Sequence, residues 1–309
     1  MTVVLETLPA PAPDAKATKK GGWFVRITIV AVVLLWTIPT LGVLISSFRP
    51  EQLVDDSGWW TSLAHLFDGA QWTLENYRSA LSNGGFGNAF LNSMAVAIPS
   101  TVIPVTVAAF AAYAFSWMDF RGRHVMFVLV VGLMVVPLQM ALIPILRLYT
   151  GGATLGGVTL IPDLDLGGTF LGVWLAHTGF GLPLAVYLLR NYIGSLPSSI
   201  IESARIDGAD HFTIFWRLII PLSVPALAAF AIFQFLWVWN DLLIAYVFLG
   251  GSRENRVLTI ALADLVGSRG ENWHLLTSAA FLSMALPLAV FFSLQRYFVR
   301  GLTAGSVKG

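Results

Sequence analysis

Ser199 and Glu202 stand three residues apart, with Pro197 just before them and Gly208 just after. A hydroxyl and a carboxylate at that spacing satisfy the free amide donors at a helix start. Proline suits the entrance, and glycine suits the left-handed residue that ends a helix. The pattern predicts one short helix of about two turns, Ile200 to Asp207. Asp210 is placed to cap a second stretch leading to Arg217, where Phe212, Phe215, Trp216 and Ile219 supply apolar contacts before Pro221. The chemistry on offer is docking: a short capped helix projecting from a rigid body fits a groove on another protein. Ordinary capping and solvation of a surface helix accounts for Glu202 and Asp207 as well.

A second set of polar residues interrupts apolar sequence. Gln234, Trp237 and Asp241 are spaced i, i+3, i+7 and share one helical face, with Asn240 beside them. An amide, an indole and a carboxylate on one face combine hydrogen bonding with ring stacking, which suits a polyhydroxylated solute. Asp241 also ends its uncharged stretch about 20 residues after Pro221, where solvation at a membrane interface explains it equally. His177 and Gln139 read as packed, hydrogen-bonded polar residues. His65, His124, His211 and His274 show no ligand spacing, so no metal site is expected. No His, Asp or Ser constellation recurs at helical spacing, and no catalytic residue is assigned.

The elements that hold these residues follow from composition. Of 309 residues, 56% are hydrophobic and 11% charged, against about 25% charged in soluble domains. Six blocks lack Asp, Glu, Lys and Arg: Ile27 to Phe48, Ser79 to Met118, His124 to Leu146, Leu166 to Leu189, Leu218 to Asn240 and Asn272 to Gln295. Each is long enough to cross a hydrocarbon core, which takes about 20 helical residues. The fold class is therefore an all-α membrane protein with six transmembrane helices. Asn83-Gly84-Gly85 places the start of the second helix near Phe86, with Pro99 and Pro104 inside it. Pro39, Pro137, Pro144, Pro183, Pro225 and Pro287 fall in other blocks. Unpaired backbone groups are costly in lipid, so these prolines imply packing against neighbouring helices or a cavity.

Lys and Arg set the orientation. With the N-terminus inside, twelve fall on the cytoplasmic side and six outside, which favours both termini cytoplasmic. Residues 1–22 form a flexible cytoplasmic tail. A six-helix transmembrane body, 23–300, has spans at about 25–48, 86–116, 124–147, 168–190, 221–247 and 274–297. A cytoplasmic loop occupies 197–221, and 301–309 is a second cytoplasmic tail. Trp23, Trp59, Trp60, Trp72, Trp117 and Trp273 lie near span ends as interfacial anchors. The net charge of +1 does not indicate a nucleic-acid partner. There is no cysteine.

Glu202-Ser203-Ala204-Arg205-Ile206-Asp207-Gly208-Ala209, followed by Phe215, Ile219, Pro221 and Leu222, resembles the EAA loop of binding-protein-dependent ABC importer permeases, with Ser203 where the family usually has Ala. Four further stretches look like the G-type subunit of maltose-like sugar importers: Glu75-Asn76-Tyr77, Asn92-Ser93, Trp239-Asn240-Asp241 and the ending from Gly301 to Gly309. Together the resemblance covers about residues 24 to 309. It implies a type I ABC importer transmembrane domain in a bacterial or archaeal plasma membrane. A homologous second permease, two ATPases and an extracytoplasmic substrate-binding protein complete such a complex, which carries a sugar, for example an α-glucoside. Glu202, Ser203, Ala204, Asp207, Gly208, Ala209 and Pro221 would contact the ATPase, and Thr303, Gly305 and Lys308 would form a second contact. No Gly-rich phosphate loop is present, so ATP and Mg belong to the partner and this chain binds no cofactor.

Other readings stay open at this stage. The cargo of such a permease can be another small solute such as a glycerophosphodiester. An ion-driven secondary transporter would show repeated halves and midplane acids, and neither is apparent. A non-transporting scaffold would make the loop merely architectural.

Overall fold

The computed structural model describes residues 22–83, 85–266 and 272–304. The expected N-terminal tail to residue 21, and residues 305–309, lie outside them. The chain divides into two units, Met1–Val43 and Leu44–Gly309. Most of α1 (Trp23–Ser47) belongs to the first. Its apolar side chains are exposed all round, Trp36 at 78%, as expected for a helix whose solvent is lipid.

The second unit holds α2 (Glu51–Asp56), α3 (Glu75–Asn83), α4 (Phe86–Trp117), α5 (Arg123–Gly132) and α6 (Leu138–Gly151). A hairpin of β1 (Ala153–Leu155) and β2 (Val158–Ile161) follows. Then come α7 (Phe170–Gly194), α8 (Ser198–Ile206), α9 (His211–Ile214), α10 (Ile220–Trp239), α11 (Leu243–Leu249), α12 (Leu258–Val266) and α13 (Trp273–Ala304). Among the described residues, five helices are long and apolar enough to cross a bilayer, counting the continuous stretch from His211 to Trp239 as one.

The third apolar block departs from expectation. It is not one kinked helix but α5 and α6, bent by 105° at Val136–Pro137. Pro137 cannot donate to the preceding turn and sets the next helix off in a new direction. If the bent pair counts as one span, the total is six. The hairpin was not anticipated either. Gly156 and Gly157 have φ of 58° and 84°, the pair of positive values that a two-residue turn between twisted strands requires. The fifth span begins earlier than Pro221. Phe215–Ile219 form a wide π turn that joins α9 to α10 without a break. Such a turn relieves the clash between the Pro221 ring and the carbonyl four residues before it. At the other end the span stops at Trp239, short of the expected 247.

Two apolar cores hold the unit together. One joins Phe86, Val96, Val173, Val238, Ile244 and Leu258. The other joins Ala112, Leu189, Ile193, Ile201, Ile214 and Phe215. α4 and α7 pack most extensively. Ala108, Ala109, Ala112 and Ala185 are buried there, small residues that let two helix backbones approach where lipid offers no hydrophobic drive.

Three of the prolines inside the spans are compensated by a side chain of another helix. Pro99 leaves the Ala95 carbonyl without its helical donor, and Trp174 Nε1 of α7 donates to it at 2.9 Å. Pro104 does the same to Ser100, whose carbonyl accepts from Gln234 Nε2 of α10 at 3.2 Å. Pro287 frees Ser283, and Trp239 Nε1 donates to that oxygen at 3.0 Å. Three carbonyls that would be orphaned in a water-free interior each gain a donor from a neighbouring helix.

Candidate functional site

The loop after α7 forms a projecting knob. α8 opens on Pro197, which makes no side-chain cap, so the expected Ser199–Glu202 box does not form. Ser199 already lies inside the helix, and the proline alone sets the entrance. The exit is as expected. Gly208 has φ +82°, the Gly208 amide donates to the Arg205 carbonyl at 3.1 Å, and the Ala209 amide reaches the Ala204 carbonyl at 2.9 Å. This pair of bonds is the Schellman arrangement, which a left-handed residue makes possible. Asp210 then caps α9, accepting from the Thr213 amide at 2.8 Å. Hydrogen bonds from the Thr213 side chain and amide hold its carboxyl below the usual carboxylate range.

The knob has two faces. Glu202, Ser203, Asp207 and Gly208 are exposed, whereas Ala204 and Ala209 are half-buried against the second core. Ile201 is buried beneath. Pro221 is exposed but belongs to the span. Ile206 projects outward at 86% exposure and Phe212 at 69%. Sequence reasoning passed over Ile206 as a contact. Its position four residues after Glu202, on the same face, was the available signal. An apolar side chain so exposed beside acidic residues suits a docking anchor.

Polar bonds tie the underside to the end of α4. Arg205 Nη2 donates to the Trp117 carbonyl at 2.9 Å, an oxygen left free at the helix end. His211 Nδ1 and Tyr113 Oη are 2.8 Å apart, and Trp117 Nε1 donates to the Ile193 carbonyl at 3.1 Å. The knob is thus fixed to α4 as well as to the helices on either side of it in sequence.

The row on the fifth span separates on inspection. Gln234 is buried in its bond to Ser100 and sits where a side chain at Gly181 would meet it at 2.7 Å. Trp237 lies with its ring edge-on to His177, centroids 5.4 Å apart. It also lines a cavity of about 500 Å³ beside the bend at Pro137, with Leu133, Gly179, Phe180 and Pro183. Asn240 bonds to its own helix at Leu236. Asp241 Oδ2 accepts from the Ala245 amide at 3.0 Å, which caps α11, and its own carbonyl accepts from Thr259 at 2.6 Å. His177 is fully buried, with Nε2 3.7 Å from Asp241 and no hydrogen-bond partner on either ring nitrogen. Gln139 is exposed. Of the row, Trp237 faces this larger cavity, and Asp241 borders a small cleft of about 10 Å³ with Ser93, Trp239 and Thr259.

At the Phe86 end of α4, Asn92 Nδ2 donates to the carbonyls of Glu254 and Arg256 at 2.7 and 3.0 Å, and Ser93 accepts from the Leu258 amide at 2.8 Å. Asn76 Nδ2 likewise donates to the carbonyls of Ser47 and Arg49. Thr303 lies in the last turn of α13, so helix continues past residue 301, where the second tail was expected to begin. Gly305 and Lys308 lie outside the described residues.

Residues 104–304 match the family described as binding-protein-dependent transport system inner membrane component. The chain is 56% identical, over 92% of its length and 91% of the relative's, to the osmoprotective compounds uptake permease protein GgtD of Synechocystis sp.. It is 45% identical, over 93% of its length and 97% of the relative's, to the alpha-glucoside transport system permease protein AglG of Rhizobium meliloti. Its fold is shared, at a TM-score of 0.67 and 21% identity over 91% of this chain and all of the other, with a chain of a bacterial ABC transporter involved in the import of the acidic polysaccharide alginate. The chain belongs to the family of binding-protein-dependent transport system inner membrane components, and it is a membrane permease chain rather than an enzyme.

Proposed function

We propose that this chain forms half of the translocation pathway of an ATP-driven sugar importer, with an oligosaccharide such as an α-glucoside as cargo. A homologous permease supplies the other half, and a binding protein delivers the sugar to the outer face. Two ATPases, which hold the ATP and Mg, grip the knob from the cytosol. Both chain termini are cytosolic in this reading, in line with the Lys and Arg distribution. The observation that carries it is the knob: exposed Glu202, Asp207 and Ile206 on a helix braced from below by Arg205 and His211. A braced helix moves as one piece when its partner moves, so the pull reaches the spans undiminished. Support for the sugar comes from the α-glucoside relative.

The 56% identity to a permease for osmoprotective compounds favours a second cargo reading, a compatible solute of similar polarity. Purifying the binding protein and identifying its ligand by mass spectrometry separates the two. For the knob, Ile206→Asp places a charge where an apolar anchor docks. The expected result is loss of ATPase copurification with normal insertion of the chain, and a retained ATPase would overturn the contact.

A further inference from the structure

We infer that Gln234 is a positioning residue for transport, the joint through which bending of α4 at Pro104 follows the position of α10. This rests on the importer reading above. In a regular helix the bond from residue 104 to the Ser100 carbonyl would stiffen α4. Pro104 cannot make that bond, and the donor comes instead from α10, through the Gln234 amide at 3.2 Å. One turn away the same exchange recurs, with Trp174 of α7 serving the carbonyl freed by Pro99 at 2.9 Å.

Two rungs of α4, at Ala95 and Ser100, have therefore been moved onto other helices. A bend at those prolines breaks no α4 bond at these two rungs but must displace α7 and α10, whose side chains hold the freed oxygens. The Gln234 amide is 1% exposed. A Cβ at Gly181 of α7 would come within 2.7 Å of it, so the glycine leaves the room in which α4, α7 and α10 meet. A side chain so enclosed is placed to link three spans and is poorly placed to meet cargo. The two ends of α4 are fastened as well, to the knob through Arg205 and to the segment before α12 through Asn92 and Ser93. The two prolines thus sit between the fastened ends.

The test is a cycle of Gln234→Leu, Pro104→Ala and the pair, in the full importer reconstituted with its ATPases and loaded binding protein. The readouts are thermal stability, KM and turnover for the cargo. Gln234→Leu leaves a buried carbonyl unpaired, so stability drops and turnover falls about tenfold with KM unchanged. Adding Pro104→Ala restores the rung inside α4 and with it the stability, while turnover stays low because α4 is no longer joined to α10. A raised KM with turnover kept would make Gln234 a cargo ligand and overturn the inference. So would recovery of turnover in the pair, which reduces Gln234 to filling a vacant bond, and so would an unaltered single variant. If the unmodified importer shows no ATPase stimulation by its loaded binding protein, the importer reading itself has failed, and this control is read before any variant.

Discussion

The knob and the far end of the fifth span carry similar residues, acids and small polar groups at helical spacing, and the fold uses them in opposite ways. In α8 the carboxylates of Glu202 and Asp207 point away from the chain, while backbone bonds through Gly208 close the helix. Beyond α10 the carboxylate of Asp241 turns back on the chain and caps α11. The difference is set by solvent. Where water reaches the backbone, Glu202 and Asp207 can stay exposed. Where it does not, the carbonyls freed by Pro99, Pro104 and Pro287 and the Ala245 amide recruit polar side chains. A polar residue in an apolar run is thus evidence of a backbone group to be satisfied before it is evidence of a ligand.

That contrast can be broken most sharply at Gly208. A φ of +82° strains any residue with a Cβ, and a β-branched one by about 1–3 kcal/mol. Gly208→Val is expected to reduce uptake by about tenfold or more while the chain still inserts and assembles with its partner permease. Normal uptake in that variant would sever the knob from the coupling role.

A smaller effect is expected at the other pole. Asp241→Ala removes the cap of α11 and should lower stability by about 1 kcal/mol, and Asp241→Asn, which keeps an acceptor oxygen, should restore it. KM for the cargo stays constant in both, measured by uptake in proteoliposomes. A KM raised by Asp241→Asn would return this residue to the pathway and weaken the contrast.

The smallest effect concerns Asp210, whose exposed carboxylate is held below its ordinary value near 3.8 by the Thr213 bonds. A depressed folded value means the cap is fully present above the unfolded one and is lost only as pH falls through the folded one. Hydrogen exchange should show the Thr213 amide equally protected at pH 7 and pH 5. Asp210→Asn should hold that protection to lower pH still.

Much of the knob was legible in the sequence because its determinants are local. Gly208 as a left-handed terminus and Asp210 as a cap need only their neighbours, and both stand as expected. Ser199 misled, since the box spacing is right but Pro197 starts the helix earlier. The break of the third span was carried by Pro137, yet a proline does not state its angle, and a kink and a 105° turn look alike in sequence. Asn76, Asn92 and Ser93 were noticed only as points of resemblance. Their work on the carbonyls of Ser47, Arg49, Glu254 and Arg256 and on the Leu258 amide spans gaps of 27 to 165 residues, beyond the reach of any local pattern.

Composition and the run lengths of uncharged residues determined that this chain lives in lipid and set an upper limit of six crossings, because transfer of charge into hydrocarbon is too costly to be overridden by packing. Only the tertiary structure decided which polar residues were already engaged. Trp174, Gln234 and Trp239 answer prolines on other helices, and that pairing exists only once the helices lie side by side.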